Sequence, residues 1–535
     1  MVSPSNKRKS RICSSVLNRC NVISCIFLAT GYLTLTIDSV AAQIIIPSNN
    51  GLIGIDLDGN GTIDVPTGVT VDGPPEFTPE QGIEIETNLQ PTPNVPTSPA
   101  PGLVTSYPQN RVPPRELSQR IAKVDEDLTT SYQYYIGELE EETSEVSLAQ
   151  IQQDLTKIEE EAGIKPAVIY AVFYPSEATL NSGQVGFFPQ PDDELELILV
   201  TAKGDAVRRR IKGTDRAQVT AAANRFSDSV FYGLPEEKYL PPSQQLYQWL
   251  IEPLREELKA REIENLVFIL DSGIRSLPLA ALHDGEEYLI EKYSVGMIPS
   301  FRLTNTKYQD IRDVEILAMG ADNFADPELS PLPAVPTELD IIAQSLWEGE
   351  SFLNEDFTVE NLQQTQTNQP FGILHLATHA EFLPGKPSNS FIQFGDRKLG
   401  IDEVRQLGLN NPLVQLIVLS ACNTAVGDRD AEYGFASLAY QAGVKSALGS
   451  LWYVSDSGTL SLMSQFYREL KSSPIKAEAL RQAQLSLLNE EVRLEKGKLI
   501  VEDVTFDLPA EITELDIDLT HPRYWSAFTI IGNPW

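Results

Sequence analysis

The chain has 535 residues, of which 42% are hydrophobic and 22% are charged, a composition typical of a globular protein with two or three domains. Its formal net charge of −34 repels the phosphates of nucleic acids and the head groups of anionic lipids, which makes both of them poor partners. The same field attracts a basic peptide or protein, although net acidity by itself mostly favours solubility.

Residues 1–42 have the features of an export signal. A basic stretch is followed by an apolar run from Val22 to Thr36 and by small residues at Val40 and Ala42, the positions that a signal peptidase reads. Cleavage after Ala42 predicts a periplasmic or extracellular protein that keeps no stable membrane span. An uncleaved anchor is the alternative, but the apolar run is shorter than the roughly 20 residues that cross a bilayer.

Residues 43–65 form a short segment rich in Asp and Gly. Its polar residues match the first half of a calcium-binding loop, in which alternate side chains supply oxygen ligands: Asp56, Asp58, Asn60 and Asp64. The twelfth position of such a loop is expected to be Glu and is Thr67 here, so a polar turn without metal is at least as consistent with the pattern.

Residues 66–114 carry a proline every few positions, mixed with Thr, Ser, Asn and Gly. This composition predicts an extended, largely disordered linker. Residues 115–164 are charged and have apolar residues three or four positions apart, which predicts two helices.

Residues 165–535 alternate short apolar runs with helical stretches. The first three runs, 167–174, 195–201 and 207–211, predict an antiparallel edge. The runs 266–270, 314–319, 371–377 and 414–419 are apolar and are separated by helices, as in a parallel sheet that is covered on both faces. The predicted fold class is therefore α/β, with a mostly parallel sheet flanked by helices.

Two of these runs lead to residues with reactive side chains. The run at 373–377 ends at His379, and the run at 413–419 ends in a loop, predicted at 420–428, that holds Cys422. Three of the four cysteines precede residue 43, so Cys422 would be the single thiol of an exported chain. Ligands bind beyond the carboxyl ends of parallel strands, so we expect the imidazole and the thiol to share one crevice.

An imidazole beside a thiol makes the thiolate available near neutral pH, which predicts His379 as base and Cys422 as nucleophile. The backbone N–H groups of Ala380 and Cys422 are the predicted oxyanion hole. A thiol oxidoreductase is excluded, because the exported chain has no second cysteine to resolve a mixed disulfide.

Metal ligation by His375 and His379 is a competing interpretation. Four residues of strand separate two side chains by roughly 13 Å, which is too far for a chelate, so His375 is predicted to be a hydrogen-bonded core histidine. We expect neither a catalytic metal nor a cofactor.

Several motifs in order resemble the CHAT domain, a family similar to caspases, gingipains and separases. They lie at Ile373–Phe382, Leu416–Ala425, Gly449–Asp456 and His521–Phe528. The resemblance implies a caspase-like domain over residues 165–535 that hydrolyses peptide bonds of a protein or peptide substrate, with His379 as base and Cys422 as nucleophile.

The chain departs from the family pattern at two places. Ala380 follows the histidine where many members have Gly, and the acidic stretch after the nucleophile keeps only Glu432 and Gly434 in matching positions. Asp428, Glu432 and Asp456 are the candidate substrate-binding residues, and Asp428 and Asp456 suit a pocket for a basic side chain. An Asp456 that caps the following helix is an equally good account.

The sequence therefore predicts an exported caspase-like cysteine endopeptidase. The alternative is a catalytically inactive interaction module of the same family, since fold alone does not separate the two.

Overall fold

The computed structural model describes residues 114–137, 146–175, 189–424, 429–512 and 517–535, with four short stretches before them. Within the N-terminal unit, residues 1–102, these stretches form two antiparallel pairs: Ser24–Phe27 with Leu33–Thr36, and Pro47–Ser48 with Gly51–Leu52. The calcium candidates Asp56, Asp58, Asn60 and Asp64 lie outside the described residues, as does the proline-rich linker up to residue 113.

The second unit begins with two helices, as the spacing of apolar residues predicts. They are α1, Pro114–Ile136, and α2, Leu148–Ala162. Helix α2 begins where the Ser147 side chain accepts a hydrogen bond from the Gln150 N–H, and it ends at Gly163, whose φ of 71° a side chain would strain.

One large mixed sheet forms the centre of this unit. The strands described in this second unit are β1 Pro166–Tyr174, β2 Glu194–Thr201, β3 Val207–Asp215, β4 Asn265–Leu270, β5 Ser294–Met297, β6 Ile316–Gly320, β7 Gly349–Leu353, β8 Ile373–Phe382, β9 Phe391–Gln393, β10 Lys398–Gly400, β11 Leu416–Thr424, β12 Ser446–Ser450, β13 Val492–Glu495, β14 Lys498–Val501, β15 Val504–Asp507 and β16 Phe528–Gly532.

Strand order in the sheet is β7-β6-β8-β11-β12-β16-β5-β4-β1-β2-β3, and β9 and β10 extend it from the end of β8. Most neighbours are parallel, including β6 with β8 and β8 with β11. The pairs β1-β2 and β2-β3 are antiparallel and form the predicted antiparallel edge, and β12 and β16 are also antiparallel. The predicted α/β class with a mostly parallel sheet is confirmed.

Helices cover both faces of the sheet. After α2 they are α3 Arg216–Phe231, α4 Glu236–Leu250, α5 Arg255–Ala260, α6 Leu289–Lys292, α7 Val335–Asp340, α8 Val359–Asn368, α9 Arg429–Ala436, α10 Leu438–Ala442, α11 Asp456–Leu470, α12 Lys476–Leu488 and α13 Pro522–Trp525.

Strand β1 is apolar throughout because both of its faces are buried. Ile169 and Ala171 belong to the larger core on one face, whereas Val168 and Tyr170 belong to a second core on the other. The second core includes Ile121 of α1 and Leu155 of α2, so the two N-terminal helices pack directly on the sheet. Successive side chains of a strand point to opposite faces, and here both faces are buried.

Two features differ from the sequence prediction. Strands β8 and β11 continue past the predicted ends, to Phe382 and Thr424, and a separate antiparallel sheet formed by β13, β14 and β15 was not anticipated. No helix in the described part of the chain combines the length and the apolar character that crossing a bilayer requires.

Candidate active site

The two predicted catalytic residues lie on neighbouring parallel strands. Early in the pairing Leu376 of β8 is in register with Leu419 of β11, whereas further along His379 is in register with Ala421 and Ala380 with Cys422. Neighbouring strands lie about 4.8 Å apart and rise about 3.3 Å per residue, so the Cα atoms of His379 and Cys422 are diagonal neighbours, roughly 6 Å apart.

A β-bulge produces this offset. The register shifts between Leu376 and His379, where β8 has one more residue than β11. Without the shift His379 would be in register with Cys422. Bulges twist and bend a strand and re-aim the side chains beside them, and they are common next to active sites.

His379 and Cys422 lie within strands, whereas the sequence predicted that the first strand ends at His379 and that Cys422 lies in a loop. Strand β9 pairs with the extension of β8 through Ala380 and Ile392, and the Thr378 hydroxyl donates to the Gln393 carbonyl. This partner strand is remote from the apolar run at 373–377, which explains why the run alone gave no sign of the extension.

The surroundings of His379 determine its tautomer. Its Nε2 atom lies 2.8 Å from the carbonyl oxygen of Ser330, and its half-buried ring contacts Phe324 with a centroid separation of 4.8 Å. Because a carbonyl only accepts, Nε2 carries the proton, and Nδ1 of the neutral ring keeps its lone pair. Nδ1 is therefore the atom of His379 that is able to act as a base.

Both neighbours of His379 lie on the segment 321–334, which follows β6. Sequence reasoning did not identify this segment as part of the site. A backbone carbonyl carries no signal in the sequence, so Ser330 could be found only from coordinates.

The backbone of Cys422 lies in β11, and Ala380 is buried between β9 and β11. Backbone groups of paired strands are normally used in the ladders of the sheet. An oxyanion hole formed by the N–H groups of Ala380 and Cys422 stays a prediction, and it requires these groups to be released from the ladders.

The CHAT domain model matches residues 240–533, which is more than half of the chain. The chain belongs to the CHAT domain family. No curated protein matches the sequence.

Solved structures with similarity to this CHAT protein include peptidases. The separase of Saccharomyces cerevisiae, solved in complex with securin, is 12% identical over 72% of this chain and 31% of its own length, with a TM-score of 0.39. The pro- and mature domains of RgpB from Porphyromonas gingivalis give 11% identity, coverage of 60% and 77%, and a TM-score of 0.34. The Arg-specific cysteine proteinase gingipain R is 12% identical over 58% of this chain and 74% of its own length, with a TM-score of 0.34. The chain thus spans about a third of the separase chain.

His375 lies in the core of the CHAT domain, as predicted. Its Nδ1 atom is 3.1 Å from the Tyr467 hydroxyl and its Nε2 atom is 3.2 Å from a carboxylate oxygen of Glu338, and all three side chains are buried. Burial and the charge of Glu338 raise the pKa of Tyr467 well above its ordinary value, so the phenol keeps its proton and is able to donate to Nδ1.

Both ring nitrogens of His375 therefore face protein groups. In the described ranges no group of three or more His, Cys, Asp or Glu residues is arranged to hold a metal ion.

Asp456 is the first residue of α11, but it is not the cap of that helix. Ser455 is the N-cap, and its side chain accepts a hydrogen bond from the Gly458 N–H. The capping role proposed for Asp456 is therefore wrong. Its carboxylate accepts from the Ala334 N–H at 2.5 Å, and burial, with the charge of Glu338 added, raises the pKa of Asp456 to about 7. A contact of Asp456 with substrate stays a prediction.

Glu432 of α9 is 1% exposed. Its two oxygens accept hydrogen bonds from the Gly273 N–H and the Ser276 hydroxyl, both at 2.9 Å, in the loop after β4. Burial raises the pKa of Glu432, although Arg275 opposes that rise. Glu432 is therefore placed as a structural carboxylate, and its burial argues against the predicted contact with substrate. Asp428, the third candidate, lies outside the described residues.

Proposed function

We propose that this CHAT domain is a cysteine endopeptidase with Cys422 as nucleophile and His379 as base. The observation that supports the proposal is the hydrogen bond between His379 Nε2 and the Ser330 carbonyl. It leaves Nδ1 as a proton acceptor on the strand that adjoins the strand of Cys422.

The chemistry follows from these groups. His379 Nδ1 accepts the thiol proton, and the thiolate sulfur attacks the carbonyl carbon of the peptide bond. The protonated imidazole then gives its proton to the leaving amine, and water hydrolyses the thioester to release the acid and restore the thiol. In this proposal the N–H groups of Ala380 and Cys422 bind the oxyanion.

The substrate and the location are parts of the same proposal. The net charge of −34 favours a basic protein or peptide and disfavours nucleic acid. The features of residues 1–42 favour export, so we propose that the enzyme acts in the periplasm or outside the cell.

The test measures hydrolysis of a peptide library by the purified protein and its variants. We expect Cys422→Ala and His379→Ala each to lower turnover by about a thousandfold or more. The matched control is His283→Ala, because His283 lies in a turn where its Nδ1 accepts from the Gly285 N–H. Hydrolysis that persists in Cys422→Ala would rule out the proposed nucleophile.

A second candidate, a non-catalytic interaction module, is favoured by one observation. The bulge places Cys422 in register with Ala380 rather than with His379. Residues in register share a face of a sheet and successive residues alternate faces, so this register does not by itself direct His379 toward Cys422. For such a module we expect no turnover by the parent protein, together with capture of a partner that survives Cys422→Ala.

A further inference from the structure

The segment 321–334 contacts His379 of the candidate site through Phe324 and Ser330, and it contacts helix α11 through its last residue, Ala334. Ser330 accepts from His379 Nε2, and four residues later the Ala334 N–H donates to the Asp456 carboxylate. The side chain that anchors the end of this segment therefore comes from a part of the chain more than 100 residues away, at the start of α11.

The same two elements meet again in the core. Helix α7 begins directly after Ala334, and its Glu338 faces Nε2 of His375, which lies on the same strand as His379. The Nδ1 atom of His375 faces Tyr467 of α11, the helix that carries Asp456. Strand β8 is thus held on one side through His375, and the segment that contacts its His379 is held through Asp456.

We infer that Asp456 is a positioning residue for His379, acting through the Ala334 N–H and the Ser330 carbonyl. The effect of Asp456 on catalysis rests on the proposed function, in which His379 is the base of a peptidase. The competing role for Asp456 is direct recognition of a basic substrate side chain, and the two roles make different predictions.

Three variants separate the roles. Asp456→Ala removes the acceptor of the Ala334 hydrogen bond. Asp456→Asn keeps an oxygen acceptor but removes the negative charge. Ala334→Pro removes the N–H donor and leaves the carboxylate in place; the φ of Ala334, −78°, lies within the range that proline adopts. Glu469→Ala is the matched control, an acidic residue at the other end of the same helix.

The first measurement is the tautomer of His379, which does not depend on turnover. The full chain has four histidines, so 15N labelling of histidine gives few signals, and the His379→Gln variant assigns the one of interest. We expect the Nε2–H form in the parent protein, in Asp456→Asn and in Glu469→Ala. We expect a mixture of tautomers in Asp456→Ala and Ala334→Pro, because the segment that carries Ser330 loses its anchor at Ala334 and keeps the bond from the Leu332 N–H to the Asp322 carbonyl.

The second measurement is hydrolysis of paired peptides with a basic or a neutral residue before the cleaved bond. For a positioning role, Asp456→Ala and Ala334→Pro lower kcat about 10- to 100-fold for both peptides with KM nearly unchanged, and Asp456→Asn restores most of the activity.

The outcomes are distinguishable. An unchanged His379 tautomer in Asp456→Ala and in Ala334→Pro overturns the inference. So does a rise in KM that is confined to the basic peptide and is equal in the Ala and Asn variants, since that result assigns Asp456 to substrate recognition. A parent protein without turnover whose tautomer still responds to Asp456→Ala refutes the proposed peptidase but keeps Asp456 as the residue that positions His379. If Asp456→Ala does not fold, as judged by circular dichroism, Ala334→Pro and Asp456→Asn decide the matter.

Discussion

The Nε atom of Arg120 lies 2.9 Å from a carboxylate oxygen of Glu196, and this pair joins helix α1 to strand β2. Glu196 is fully buried, and it also accepts from Arg208 at 2.8 Å and Arg210 at 3.3 Å. One interior carboxylate thus pairs with three guanidinium groups that are each less than a third exposed.

We predict that Glu196→Gln lowers the free energy of unfolding at pH 7 by about 2–4 kcal/mol, because the arginines lose their counter-charge. Burial opposes ionisation of Glu196, but Arg120 and Arg208 more than offset it and hold its pKa below the ordinary value. The contribution is therefore present above the ordinary Glu pKa and is lost as the pH falls through the lower folded pKa. Urea denaturation at pH 7 and at pH 3.5 measures it.

The control for this prediction is Glu126→Gln, which removes one partner of an exposed ion pair with Lys123. Exposed pairs of this kind contribute about 0–1 kcal/mol. A loss of stability in Glu196→Gln no larger than in the control would contradict the structural role of Glu196.

Gly320, at the end of β6, lies close to Ala377 of strand β8, within the bulge. A Cβ atom at this position would lie 2.5 Å from the Ala377 carbonyl oxygen and 2.8 Å from a methyl carbon of Val335. We predict that Gly320→Ala lowers the free energy of unfolding by about 1–3 kcal/mol, because backbone atoms must move apart. The control is Ser351→Ala on the neighbouring strand β7, where the side chain is exposed. Equal midpoints of thermal unfolding for the two variants would show that the backbone at Gly320 has room for a Cβ atom beside Ala377.

Glu432 gives the opposite pH dependence to Glu196. Burial raises its pKa, so the folded protein holds this proton to a higher pH than the unfolded chain does, and stability falls as the pH rises above the ordinary Glu pKa. We predict that Glu432→Gln gains stability relative to the parent protein between pH 4.5 and pH 7, since its neutral amide does not titrate. A difference in unfolding free energy that stays constant over this range would contradict the raised pKa.

Removing the Glu432 side chain tests its hydrogen bonds. We predict that Glu432→Ala destabilises the protein by about 2–3 kcal/mol, because the Gly273 N–H and the Ser276 hydroxyl lose their acceptor inside the protein. Chemical denaturation of this variant beside Glu432→Gln separates loss of the acceptor from loss of the charge.

Export is testable without knowledge of the substrate. When the full chain is expressed in a host with a secretory pathway, we expect the N-terminus of the exported protein to be Gln43. A bulky residue at the cleavage position blocks signal peptidase, so Ala42→Phe is expected to leave the chain uncleaved. Mass spectrometry of the intact protein measures both results, and an exported chain that keeps Met1 in the parent protein would contradict the cleavage site.

The sequence by itself predicted the layers of helices and sheet in this protein, because the buried faces of each helix and strand require apolar residues at regular spacing. Strand β1 is apolar at every position since both of its faces are covered, and α1 is apolar every three or four residues since one face packs on the sheet. Strands β8 and β11 followed from the same reasoning, whereas the core role of His375 followed from its separation from His379 along a strand.

Tertiary structure alone decided the details of the site, because they depend on contacts between segments that are distant in the chain. The extension of β8 needs β9, the tautomer of His379 needs a backbone carbonyl at Ser330, and the bond of Asp456 needs the Ala334 N–H. Nearly every residue has the same backbone donor and acceptor, so no pattern of side chains predicts which of them form these bonds. The sequence therefore identified the two strands that carry His379 and Cys422, whereas the fold decided how His379 is held.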